Sequence, residues 1–76
     1  MRELVEYLCR SLVEHPEQVT VTELEEEAGI VLEIRTASED AGRVIGRQGR
    51  IIAAIRTLTR AAGQREGKRI LVRLPE

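Results

Sequence analysis

The chain has 76 residues, 42% hydrophobic and 33% charged, enough for one small core and no second one. A single cysteine, Cys9, and a single histidine, His15, exclude an internal disulfide framework and a structural zinc site within one chain. No apolar run approaches the ~20 residues that a membrane span needs.

The N-terminal MRELVEYL alternates charge with apolar residues, unlike a signal peptide. One unpaired cysteine fits a reducing, intracellular compartment, so a cytoplasmic protein of one domain, residues 1–76, is expected. Tyr7 is the sole aromatic residue, which argues against base stacking on an aromatic platform. The net charge of -1 conceals a division. Residues 1–34 hold 2 basic and 9 acidic side chains, and residues 35–76 hold 10 basic and 4 acidic ones. A basic half points to a polyanionic partner, although charges also simply solvate exposed faces. All the basic residues except Lys68 are arginine, which binds phosphate through a planar fork.

Leu4, Leu8 and Leu12, with Val5, Cys9 and Val13 beside them, predict a helix from Glu3 to Glu14, ended by His15 and Pro16. Ser38 reads as the N-cap of a short helix running to about Ile45. Before it, Val19–Thr22 alternates as a strand, and the break at Leu24 predicts a bulge or strand end. Residues 25–29 form the turn of a hairpin, and Ile30, Leu32 and Ile34 mark the second strand. After the short helix comes Gly46-Arg47-Gln48-Gly49, and then a longer helix from about Arg50 to the glycines at 63 and 67. In that helix Ile51, Ile55, Leu58 and Ala62 form the stripe expected to face the sheet. Ile52 lies about 100° away in line with Arg56, either lining a groove or packing on the short helix. Ile70, Val72 and Leu74 alternate as a third strand. The order α-β-β-α-α-β predicts an α+β fold, a three-stranded sheet covered on one face by three helices.

A G-x-x-G string alone is common by chance, and its position is more informative. The second helix directs its N-terminal amides and positive dipole end into the loop, which suits a phosphate. Arg43, Arg47 and Arg50 cluster around that point in the sequence. The competing reading is a plain turn between helices with arginines for solubility. No P-loop pattern and no G-x-G-x-x-G is present, so a nucleotide-hydrolysing P-loop is excluded. No acid, base, nucleophile and metal set converges anywhere, so neither an enzyme nor a bound cofactor is expected.

Val44-Ile45-Gly46-Arg47-Gln48-Gly49-Arg50-Ile51-Ile52 resembles the core motif of KH domains. The element order matches their type II arrangement, and the likeness extends over nearly the whole chain. The nearest resemblance is to the small stand-alone bacterial KH proteins of the KhpA type. It implies binding of single-stranded RNA, about four nucleotides per domain, with the loop clamping the backbone. On that resemblance Gly46, Arg47, Gln48 and Gly49 contact phosphate and sugar. Ile45 and Ile52 wall a groove for bases, and Ala53 and Arg56 fall at groove positions. Arg43 and Arg50 join the set on charge and proximity alone. Members of the family act as RNA chaperones or post-transcriptional regulators, alone, as homodimers or with a second KH-domain protein. The loop pair Arg-Gln carries one basic residue rather than two, a mild departure from the family. The alternatives are a protein-assembly domain that has kept the KH fold, and a binder of single-stranded DNA in the same groove.

Overall fold

A computed structural model describes residues 1–75. Helix α1 spans Arg2–Leu12 and buries Val5 and Cys9, four residues apart on one face. Its end comes two residues before the expected Glu14, because Val13 is already extended. A single 3₁₀ turn over Pro16–Gln18, unforeseen from the sequence, then redirects the chain into the sheet. Tyr7 of α1 is 69% exposed.

Strand β1 spans Thr20–Glu26 and pairs antiparallel with β2, Gly29–Arg35. The register runs unbroken from Thr20 opposite Arg35 to Glu26 opposite Gly29, so Leu24 marks neither a bulge nor an end. Leu24 breaks the alternation because it lies on the other face of the sheet, opposite Val31. Strand β3, Ile70–Arg73, pairs parallel with β2, giving the order β1-β2-β3.

Gly29 (φ +139) makes the entry to β2 possible, since any Cβ there would collide with the Arg69 carbonyl. The Ile30 amide donates to that same carbonyl at 2.8 Å, which ties the residue just before β3 to β2.

Helices α2 (Ala41–Ile45) and α3 (Arg50–Arg65) complete the chain. Val21, Leu32, Ile34, Ile70 and Val72 from the sheet meet Val5, Cys9, Val44, Ile52 and Ile55 from the helices in one core. The opposite face of the sheet carries the row Leu24, Val31 and Leu71, and an ion-paired row in which Arg73 contacts Glu26 and Glu33. The architecture is therefore the expected two-layer α+β sandwich, with three helices over one face.

Two details differ from expectation. Ser38 begins a 3₁₀ turn and makes no capping hydrogen bond, and Asp40 is the residue that precedes α2. The core stripe of α3 is Ile52, Ile55, Thr59 and Gly63, not Ile51, Ile55, Leu58 and Ala62. The helix is thus turned by about one residue from the expected setting. Gly63 explains the turn: a Cβ there would lie 2.6 Å from Ile70 Cγ1 and 2.7 Å from the Lys68 carbonyl, so α3 packs on β3 through its bare backbone. Thr59 satisfies its buried hydroxyl on the Arg56 carbonyl at 3.1 Å. Leu58 is left 55% exposed.

Candidate nucleic-acid interface

The loop between α2 and α3 is built from three residues with left-handed backbone. Gly46 has φ 78 and ψ 171, Gln48 φ 58 and ψ 24, and Gly49 φ 73 and ψ 17. The first setting is open essentially to glycine alone. Gly46 also needs its bareness for contact, since a Cβ would lie 2.6 Å from Ile51 Cγ1. Ile51 is thus occupied beneath the loop, which is the local reason it leaves the sheet-facing stripe.

The Gly46 amide closes α2 on the Gly42 carbonyl, and the Gly49 amide bonds back to Gly46. The amides of Arg47 and Gln48 make no hydrogen bond to a backbone carbonyl outside their own 3₁₀ turn among the described residues. Gly49 then caps α3, whose positive dipole end lies at the same place. Arg47 and Arg50 are exposed and face no carboxylate among the described residues. Arg50 touches only the Gln48 side chain of its own loop, at 3.2 Å. The dipole end of α3 and two guanidinium groups with no carboxylate partner among the described residues put positive charge at this loop, which suits an anion.

Beside the loop, Ile45 is 38% exposed and borders a cavity of about 450 Å³ together with Ala41, Ile34, Thr36, Leu74 and Pro75. Ala53 is exposed on the first turns of α3. Arg56, one turn on, donates from Nε to the Val72 carbonyl at 3.3 Å. Alternate carbonyls of a strand point to opposite sides. The Arg69 carbonyl serves β2, so the Val72 carbonyl faces the unpaired edge of β3, and Arg56 covers it there. Ile45 and the residues after β3 thus line one cavity, and Arg56 covers the edge of β3 at Val72, two residues before Leu74.

Two of the expected site residues lie elsewhere. Ile52 is 7% exposed and belongs to the core, so it supports the groove from below rather than forming an open wall. Arg43 is held by an ion pair with Glu14, and its Nε lies 3.9 Å from Asp40. It stitches α2 to the end of α1 instead of joining the loop arginines.

One structural residue was missed by sequence reasoning. Asp40 is 1% exposed, and its two oxygens accept from the amides of Glu14 (3.2 Å) and His15 (2.9 Å). This carboxylate fixes the entry of α2, and hence the loop, relative to α1. The available signal was an acidic residue ahead of a short helix, and that pattern reads equally well as a solvated first turn.

An α-β-β-α-α-β chain with a left-handed G-x-x-G loop between its second and third helices is a KH domain in the type II arrangement. The family model "KhpA/KhpB, KH domain" matches residues 2–74, and the chain belongs to that family. It is 49% identical over 74 residues to the RNA-binding protein KhpA of Clostridium perfringens, covering 97% of this chain and 99% of that protein. It is 40% identical to the RNA-binding protein KhpA of Aquifex aeolicus, over 100% of this chain and 96% of the other. The Listeria monocytogenes protein of the same name is 42% identical over the full length of both. No solved structure matches the chain significantly. The family is one of KH domains, and the relatives named here are RNA-binding proteins. Among the described residues no helix is long and apolar enough to cross a membrane.

Proposed function

We propose that residues 1–76 act as one KH unit that binds single-stranded RNA in the cytoplasm, as an RNA chaperone or post-transcriptional regulator. The observation that carries this reading is the loop from Gly46 to Gly49, with positive φ at three residues, at the N-terminus of α3 and beside Arg47 and Arg50, which have no carboxylate partner among the described residues. The relatives named as RNA-binding proteins support it over nearly their whole length. Backbone phosphates sit on the loop, and about four nucleotides extend from it along Ile45, Ala53 and Arg56. Bases rest on aliphatic side chains, which suits a chain without an aromatic platform.

The test is a fluorescence-anisotropy titration with short single-stranded RNA over a salt series. About three phosphate contacts give a log–log slope near -2, at roughly -0.7 per phosphate. Binding that ignores salt contradicts the loop as its seat. A DNA oligonucleotide of the same sequence, run in parallel, separates contacts to the 2′-hydroxyl from contacts shared by both strands.

A second reading, assembly with another copy or a second KH-domain protein, is favoured by Leu58. This residue stands 55% exposed on α3, outside its sheet-facing stripe. Pairing complements RNA binding, because a second site raises apparent affinity without new contacts. Sedimentation of the wild type against Leu58→Glu checks it: a dimer in the first and a monomer in the second is the expected result.

A further inference from the structure

We infer that the free edge of β1 is a docking site for an extended basic segment of a partner protein, which adds to the sheet as a further strand. The segment that fits carries an aliphatic residue between two lysines or arginines. This inference does not depend on RNA binding.

The first observation is an open edge. The strand order β1-β2-β3 leaves both outer strands with an unpaired edge. The edge of β3 is four residues long, and Arg56 covers its Val72 carbonyl. The edge of β1 is seven residues long, with no proline and no bulge in its register. Arg10 covers the Val19 carbonyl at 3.3 Å, just ahead of the strand. From Thr20 to Glu26 no side chain among the described residues bonds to the main chain. Every second residue of an edge strand turns its amide and carbonyl away from the sheet. Those groups are the template for strand addition.

The second observation is charge. Three of the seven residues of β1 are glutamate. By register Glu23 and Glu25 lie on the helix side of the sheet, opposite Leu32 and Ile30. Both are exposed all the same, because β1 is buried only at Val21. Neither has an ion-pair partner among the described residues. Lys68 and Arg69 line a cavity of about 440 Å³ with them, but Lys68 is paired with Glu66 at 4.0 Å. A strand approaching this edge meets negative charge, which repels a nucleic-acid backbone and attracts lysine and arginine.

The third is pattern. Leu24, between the two glutamates, lies on the other face and begins the row Leu24, Val31 and Leu71. A strand laid on β1 extends that row by one side chain, and such cross-strand neighbours stabilise a sheet. An aliphatic residue opposite Leu24 brings its two neighbours opposite Glu23 and Glu25. The basic–aliphatic–basic pattern is symmetric, so it fits in either strand direction. A second copy of β1 does not fit. Two-fold pairing about Leu24 sets Glu23 of each copy against Glu25 of the other, and like charges directly opposite are destabilising.

The test uses the whole chain, isotope-labelled for NMR, and a capped threonine peptide with valine between two lysines at its centre. The expected result is binding that slows amide exchange at alternate residues of β1. Glu23→Lys/Glu25→Lys, which changes exposed side chains only, should weaken this binding by about tenfold or more and should take the matching glutamate peptide instead. Methylating alternate amides of the lysine peptide should abolish binding for one of the two alternate sets and spare it for the other, since only one set faces β1. Binding indifferent to both sets is charge attraction without strand addition and overturns the inference. A folded wild type that ignores the lysine peptide overturns it too, leaving the glutamates as protection of the edge. Slowed exchange along β1 that grows with protein concentration alone gives the edge to a second copy, and slowed exchange there on adding single-stranded RNA gives it to nucleic acid. Either result contradicts a basic protein segment as the occupant.

Discussion

Gly46 and Ile51 claim the same space: a Cβ on the glycine would lie 2.6 Å from Cγ1 of the isoleucine. The loop is therefore held by packing as well as by its backbone. Gly49 also has positive φ, but no atom lies within 4 Å of the Cβ it lacks. Gly46→Ala should then cost about 3 kcal/mol, the upper end for strained backbone plus a clash, and Gly49→Ala about 1 kcal/mol. Urea unfolding of the two variants measures both. Equal losses would show that Ile51 does not constrain the loop.

The left-handed Gln48 gives a prediction of opposite sign. Asparagine tolerates this backbone better than glutamine. Gln48→Asn should stabilise the fold by about 0.5 kcal/mol, seen as a higher urea midpoint. A lower midpoint would mean that the Gln48 contact with Arg50 outweighs the backbone strain.

Asp40 binds two amides from a buried position, so removing its carboxylate leaves both unsatisfied. Asp40→Ala should cost about 2–4 kcal/mol, and Asp40→Asn, which keeps one acceptor oxygen, about half of that. Calorimetry or urea unfolding gives the values. The link between α1 and α2 should loosen as well, visible as faster amide exchange at Glu14 and His15.

Cys9 is completely buried, and burial pushes its thiol from 9.0 up to about 11. The folded chain holds this proton at pH values where the unfolded chain releases it. The resulting contribution is complete below pH 9.0 and is lost as pH rises through about 11. Wild type should lose more stability over that window than Cys9→Ala, which has no thiol to titrate. Parallel pH profiles for the two would contradict the burial of a protonated thiol.

Much of the fold was legible because the apolar residues alternate or recur at helical spacing. Ile30, Leu32 and Ile34 mark β2, and Ile70 and Val72 mark β3, each facing the core as their pattern implies. The setting of α3 was not legible. Its sheet-facing stripe includes Thr59 and Gly63, neither of which scores as apolar, while the apolar Leu58 faces out. Close backbone packing at Gly63 outweighs side-chain hydrophobicity there, and only the opposing Ile70 reveals it. The length of β1 was hidden for another reason. An edge strand with Glu23 and Glu25 beside solvent lacks the alternation that a covered strand shows. At the interface, the glycines, Ile45, Arg47 and Arg50 could be read from the motif. The fate of Arg43 could not, because its partner Glu14 lies 29 residues away in the chain.

The central claim is that phosphate binds at the glycine loop. The most direct measurement is RNA affinity, by anisotropy, of wild type against Arg47→Asp/Gln48→Asp. Both side chains are exposed, and aspartate tolerates the left-handed backbone at position 48, so the fold should persist. Two carboxylates in place of a guanidinium and an amide should remove binding, by tenfold or more for each ~1.4 kcal/mol lost. Circular dichroism and the unfolding midpoint should stay near those of wild type. A folded double variant with undiminished RNA affinity would contradict the account.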